Sequence, residues 1–235
     1  MNHTIDIILI SDAKCDDLMK LTMGAVRSAT PHRVIVLESN LDVEYEGATT
    51  LHPEVPFNYN RYLNIGARYC ESDYIFFGNN DILFEEGWDR TLIAAMRKHK
   101  IRSASPLCPN THPKHYEITR NSGVIIGYEV YKLFCGWAFL WERSLYEQIG
   151  KMDESFTFWC SDNVVVEQLK CLGEKHMLVT SSVVDHIGGG SRTLIGLEDN
   201  LYKRYTKDEL DTFNQRFDQK ITMNDEDFPK AKFLK

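Results

Sequence analysis

The chain has 235 residues, 43% hydrophobic and 26% charged, with 27 Lys+Arg against 34 Asp+Glu and a formal net charge of -7. That is one large domain, or one domain with an appendage, able to bury a core without metal or disulfide staples, and it excludes collagen-like, mucin-like and wholly disordered chains. The acidic balance weighs against a broad, non-specific nucleic-acid binder but leaves room for a local basic groove.

The N-terminal residues MNHTIDIILISD lack a basic n-region and a small-residue cleavage site, so they read as a first strand and not as a signal peptide. Residues 5–10 (IDIILI) form a short, nearly continuous apolar run, as expected of a buried parallel strand. Residues 16–29 carry Leu18, Leu21, Met23 and Val26 at helical spacing and stop before Pro31. Residues 33–37 (RVIVL) read as a second strand, 48–51 as a short third, 59–69 as a helix, 74–77 (YIFF) as a central strand and 85–99 as a helix. This order predicts a parallel sheet with helices on its faces. Residues 103–120, with Pro106, Pro109 and Pro113, read as a long functional loop. Short strands follow at 124–126 and 138–141, then a helix at 144–149 ending at Gly150 and another at 163–172 capped by Gly173. Strands at 176–180 and 183–185 close the sheet, and 207–220 is an amphipathic helix ahead of a charged tail. Residues 1–205 are therefore expected to form the main domain, with 206–235 packed on it or trailing from it.

No apolar run approaches the roughly 18 residues needed to cross a bilayer, so no integral membrane association is expected. The six cysteines form no CxxC pair and read as reduced thiols of a cytoplasmic protein.

Four segments carry candidate chemistry. In FFGNNDILF an apolar strand runs into Asn79, Asn80 and Asp81, placing a carboxylate at a strand's carboxyl end, where it can meet a divalent cation and a phosphate together. Glu38 ends the second strand and is placed to accept hydrogen bonds from a ribose hydroxyl or a base N–H. In FTFWCSDNVVVE, Asp162 follows Phe158 and Trp159; a carboxylate walled by aromatics suits a general base. His186 lies in VVDHIGGGS, where glycines allow close approach to a phosphate. Each also has a plainer reading: a turn at 79–81, a solvated charge or cap at Glu38, a helix cap at Asp162, a structural histidine at 186. Ser11, Asp12 and Ala13 stand where a GxGxxG loop would follow the first strand, which argues against a dinucleotide site.

Taken in order, these segments resemble the GT-A-fold nucleotide-sugar glycosyltransferases, in the family-two-like inverting group. Asn60, Asn64, Gly66 and FFGNND are similar to that family's N-x-x-x-N-x-G segment, strand and DxD, with Asn79 in place of the first Asp, as in the NND of rhamnosyltransferase-like members. Residues 136–163 resemble its acceptor-side block, with Ser161 in place of the Glu of an ED pair and Asp162 as the matching acid. The resemblance covers about residues 5–191 and implies a mixed, mostly parallel α/β sheet flanked by helices.

It also implies roles. Ser11, Glu38, Asn64, Asn79 and Asn80 would contact a UDP-, GDP- or dTDP-linked sugar. Asp81 and His186 would hold Mn2+ or Mg2+ on the diphosphate, and Asp162 would take the proton of an acceptor hydroxyl. The acceptor implied is a glycan or, since compact members occur in bacteriophages, a hydroxymethylated base in phage DNA, with the host cytoplasm as the address in that case. Lys98, Lys100, Arg102, Lys114, His115 and Arg120 gather around the 103–120 segment and would flank such a polyanion, or form a solvated face. Two rivals stand beside this reading: a catalytically silent nucleotide-sugar-binding or scaffold protein of the same fold, and a nucleotidyltransferase, which would normally show a Gly-rich phosphate loop after the first strand.

Overall fold

A strand whose side chains are apolar on both sides must be covered on both faces, and the helices of this chain divide to do that. The computed structural model describes residues 4–158, 160–187 and 199–218. Its elements in chain order are β1 (Ile5–Ser11), α1 (Asp16–Ser28), β2 (Arg33–Glu38), β3 (Thr49–Leu51), α2 (Tyr59–Ala67), β4 (Tyr74–Asn79), β5 (Ile82–Phe84), α3 (Trp88–His99), β6 (Ser103–Leu107), α4 (His112–Tyr116), β7 (Val124–Ile126), β8 (Ala138–Glu142), α5 (Arg143–Ile149), α6 (Ser161–Cys171), β9 (His176–His186) and α7 (Asp199–Phe217). The sheet runs β3-β2-β1-β4-β8-β6-β9-β5, with β7 paired to β9. Among the described residues, six of its nine strands (β1, β2, β3, β4, β6 and β9) share one direction, and β8 is inserted antiparallel between β4 and β6.

Alternation along the strands separates two cores. Ile7, Leu9, Val34, Val36 and Phe76 face α1 and α3, where they meet Val26, Trp88, Leu92 and Met96. Ile8, Ile10, Ile35, Leu37, Ile75 and Phe77 face α2, α5 and α6, where they meet Leu63, Leu145, Val165 and Leu169. α7 adds a small third cluster in which Phe213 packs with Phe156 and Val164.

Three expectations are corrected. The segment expected to be a loop from residue 103 opens with β6, whose five residues are all buried. Pro106 is tolerated there because the pairing with β9 shifts register between Pro106 and Leu107. The two strands expected at 176–180 and 183–185 are one strand, β9. The helix expected over 207–220 already begins at Asp199 and ends at Phe217, so it straddles the boundary placed at residue 205. Residues 219–235 of the expected tail lie outside the described residues.

α2 approaches the sheet closely at Gly66, where an added Cβ would stand 2.8 Å from Ile8 Cγ2 and 2.9 Å from Leu37 Cδ2. Gly66→Ala should therefore lower folding stability by about 1–3 kcal/mol, the usual cost of overpacking a core. Chemical denaturation checks this; an unchanged midpoint would mean that α2 can move away freely.

Candidate functional site

β4 delivers Asn79 to the carboxyl end of the sheet, and the chain then turns into the short strand β5. Antiparallel pairing sets Ile82 opposite His186, and the Ile187 N–H donates to the Asp81 carbonyl at 2.9 Å. This register brings residues 81 and 186 together: Asp81 Oδ1 lies 3.2 Å from His186 Nε2. The His186 ring stacks on Trp137, with centroids 4.8 Å apart and planes 3° from parallel. Asn79 joins them. Its Oδ1 accepts from the Tyr59 hydroxyl at 3.1 Å, which turns its Nδ2 toward His186 Nε2 at 3.4 Å.

Asp162 arrives from the other half of the chain. Cys160 takes a left-handed conformation (φ 57°) and starts α6, so Asp162 falls in the first helical turn, where the helix dipole favours a carboxylate. It is half-buried and does not occupy the cap position. Gly136 leaves room for it: a Cβ there would stand 2.8 Å from both Asp162 Cβ and Oδ2. Asp162, Asn79, His186, Tyr59 and Trp137 line one cavity of about 130 Å³. Burial, with the Asp162 and Asp81 charges added, pushes the Tyr59 phenol well above its usual range, so it remains a protonated donor.

The asparagines of α2 hold this arrangement in place. Asn58 caps the helix by accepting from Arg61 N at 2.9 Å, and its Nδ2 donates to the Glu154 carbonyl at 2.9 Å. Asn60 Nδ2 donates to the Asp153 carbonyl. Asn64 donates to the Met152 carbonyl at 2.8 Å and accepts from Met152 N at 2.9 Å. The Asn60–Asn64–Gly66 pattern is thus a clamp on the 152–154 loop. α7 braces the same stretch from outside: the Glu209 carboxylate accepts from the Thr157 and Phe158 N–H groups, and Arg216 pairs with Asp153.

Ser11, Glu38, Asn64 and Asn80, expected to touch a ligand, each hydrogen-bond to the protein framework. Glu38 is fully buried; its Oε1 accepts from Ala13 N (3.0 Å) and Asn40 N (2.8 Å), and its Oε2 from the Tyr45 hydroxyl (2.7 Å). Ser11 Oγ lies 2.9 Å from Thr22 Oγ1 and 3.0 Å from the Tyr45 hydroxyl, and Asn80 Nδ2 donates to Thr22 Oγ1 at 3.0 Å. These groups fix the loops that leave β1 and β2. Asn79, Asp162 and His186 line the same cavity, and Asp81 pairs with His186. Trp159, expected to wall Asp162, lies outside the described residues. Tyr59, Gly136 and Trp137 were not singled out; the Gly-Trp pair before β8 is the signal that could have found the last two. Of the basic group, Arg102 pairs with Glu174 and Arg120 with Glu85, and none of the six lines the cavity.

Among the described residues no three His, Cys, Asp or Glu side chains converge. Asp81 and His186 supply two such donors. That set fits Mn2+ or Mg2+ bound in company with a substrate's phosphates, since such ions commonly take only one or two protein ligands beside phosphate and water.

No protein-family model and no curated protein sequence matches the chain. Among solved structures it is similar to GalNAc-T7 with UDP, GalNAc and Mn2+, at a TM-score of 0.63 and 14% identity. The match covers 78% of this chain and 44% of the other, so the chain spans under half of that protein's length. The likeness establishes the GT-A fold.

Gly136→Ala should displace Asp162 while leaving Asp81 and His186 paired. A crystal structure or NMR shift map of the variant checks this. Perturbation centred on Asp81 and sparing Asp162 would contradict the packing described.

Proposed function

We propose that the chain is an inverting glycosyltransferase that moves a sugar from a nucleotide-diphosphate donor to an acceptor hydroxyl. One observation carries the reading: His186, whose Nε2 lies 3.2 Å from Asp81 Oδ1 in a phosphate-and-metal type of donor pair, and a separate carboxylate, Asp162, line one cavity although they come from β9 and α6. A protein of the same fold solved with UDP, GalNAc and Mn2+ supports a nucleotide-sugar donor and a divalent ion.

In this reading the nucleotide lies over the ends of β1 and β2, on the loops that Ser11 and Glu38 hold. Asp81 and His186 would hold a divalent ion, which when bound would supply positive charge to the diphosphate leaving group. Asp162 accepts the proton of the acceptor hydroxyl as that oxygen bonds to the anomeric carbon from the far face. The bond from that carbon to the diphosphate oxygen breaks, and its electron pair stays on the diphosphate. A single displacement of this kind needs one base, unlike a glycosidase with two facing carboxylates. The nearby acids serve less well. Burial alone would raise Asp153, but the Ser155 hydroxyl and N–H and the Arg216 guanidinium outweigh it and hold that carboxyl below its usual range. Hydrogen bonds from Asn64 and Arg61 do the same for Glu154. A cytoplasmic address suits the six cysteines, none of which is in a disulfide. No helix of the described residues is long and apolar enough to cross a membrane.

Asp81→Ala should abolish the Mn2+-dependent part of nucleotide affinity, measured by calorimetry with UDP, GDP, dTDP and CMP, and His186→Ala should reduce it more mildly. Equal Mn2+ dependence in wild type and Asp81→Ala would remove Asp81 from the site. Asp162→Asn should bind nucleotide normally but lose about 10²–10⁴ of the transfer rate, the usual worth of a positioned base. Turnover near wild type in that variant would move the base elsewhere, and a wild type that binds nucleotide-sugar yet never releases its sugar would favour a silent binding protein.

A further inference from the structure

On its outer side the Asp162 cavity continues into an exposed aromatic surface. Phe158 lines the cavity and is 44% exposed; Phe57, next to it, is 40% exposed. Their ring centroids are 6.2 Å apart, and Phe158 stands edge-on to Tyr59 at 6.2 Å while Phe57 stands edge-on to Tyr62 at 5.2 Å. Large exposed rings of this kind add nothing to a core, yet both are held on braced backbone. The Tyr59 N–H donates to the Thr157 carbonyl at 2.7 Å, and Glu209 holds the Thr157 and Phe158 N–H groups. The two aromatic segments are therefore fixed to each other before any ligand arrives, which lowers the entropy cost of binding there.

The charge at this place is equally informative. No Lys or Arg is among the described residues lining the cavity, and Asp162 puts a carboxylate in it. A nucleic acid would bring phosphates to a lining whose described residues offer no counter-charge, against the way such complexes gain affinity. Two lining residues also carry a buried side-chain oxygen, Asn60 Oδ1 and Ser161 Oγ, with no hydrogen-bond partner among the described residues. An apolar wall with a few unused polar groups and one carboxylate suits a small ring with an apolar face and hydroxyl groups.

We propose that this surface is the acceptor subsite and that it takes the ring of a neutral saccharide, stacked on Phe158 and Phe57, with one hydroxyl turned to Asp162. The role of that hydroxyl rests on the glycosyl-transfer reading; the saccharide subsite itself does not.

The test uses saturation-transfer NMR on the full chain. The probes are methyl pyranosides of glucose, galactose, mannose, N-acetylglucosamine and N-acetylgalactosamine, and a short single-stranded DNA containing 5-hydroxymethylcytosine, each at low and high salt. At least one pyranoside should receive saturation on its ring C–H protons, with the same affinity in both salts. Phe158→Ala should weaken it by about tenfold, the scale of one lost aromatic contact, while Phe158→Tyr retains it. Because Phe158 is exposed, its truncation leaves the core intact. No binding of any pyranoside, or equal binding by wild type, Phe57→Ala and Phe158→Ala, overturns the proposal. So does DNA that binds in a salt-dependent way and displaces the pyranoside. Nucleotide titrations with Mn2+, run separately, tell the two readings apart: saccharide binding without nucleotide binding removes the transferase reading alone, and the reverse removes the saccharide subsite alone.

Discussion

The side-chain amide of Asn64 bonds both main-chain groups of Met152, donating to its carbonyl and accepting from its N–H. The site depends on this pairing, because it fixes the segment that carries Asp162 against the half of the chain that carries Asn79 and Asp81. Asn64 can do so only because α2 lies tight on the sheet at Gly66, and because the Tyr146 hydroxyl donates to the same Asn64 Oδ1 at 3.0 Å and keeps the amide oriented. A buried amide with every bond made is rigid, whereas one left partly unmet would destabilise the loop it serves. Asn58 and Asn60 extend the hold by one residue each, and α7 closes it from the far side.

The second constraint is strand register. β5 has only three residues, yet its pairing with β9 decides that His186, and no neighbour of it, meets Asp81. A one-residue slip would turn the imidazole to the opposite face of the strand. Trp137, stacked flat on the ring, fixes its plane as well as its place. The two ends of the site thus come from different kinds of order: sheet register for Asp81 with His186, and an amide clamp for Asp162.

The central strands could be read from sequence because they are buried on both faces, so runs such as IDIILI and YIFF have no polar alternation to confuse them. β6 was hidden because SASPL looks like a loop, with serines and a proline; tertiary burial and a register shift at Pro106 overrode that local signal. Asn79, Asp81, Asp162 and His186 were visible as polar residues at apolar segment ends. Glu38, Ser11 and Asn80 looked the same by that criterion; what sequence does not carry is the set of buried bonds that ties them to Ala13, Tyr45 and Thr22. The meeting of residues 81 and 186 was likewise suggested only through resemblance, since β5 is too short to announce itself.

The joint between the two ends is small. The Tyr59 hydroxyl lies between Asn79 Oδ1 and the Gly136 carbonyl, at 3.1 and 3.3 Å, and the bare Cα of Gly136 backs directly onto Asp162. The separation of the Asp81–His186 pair from the Asp162 carboxylate is therefore set through one phenol and one glycine. Asn79 serves as a neutral member of this joint: its carbonyl end is held by Tyr59 and its amide end faces His186. A carboxylate at position 79 could accept from Tyr59 but would offer His186 no N–H, and it would add negative charge beside Asp81. The amide thus keeps position 79 uncharged, and it leaves Asp81 as the charged partner beside His186.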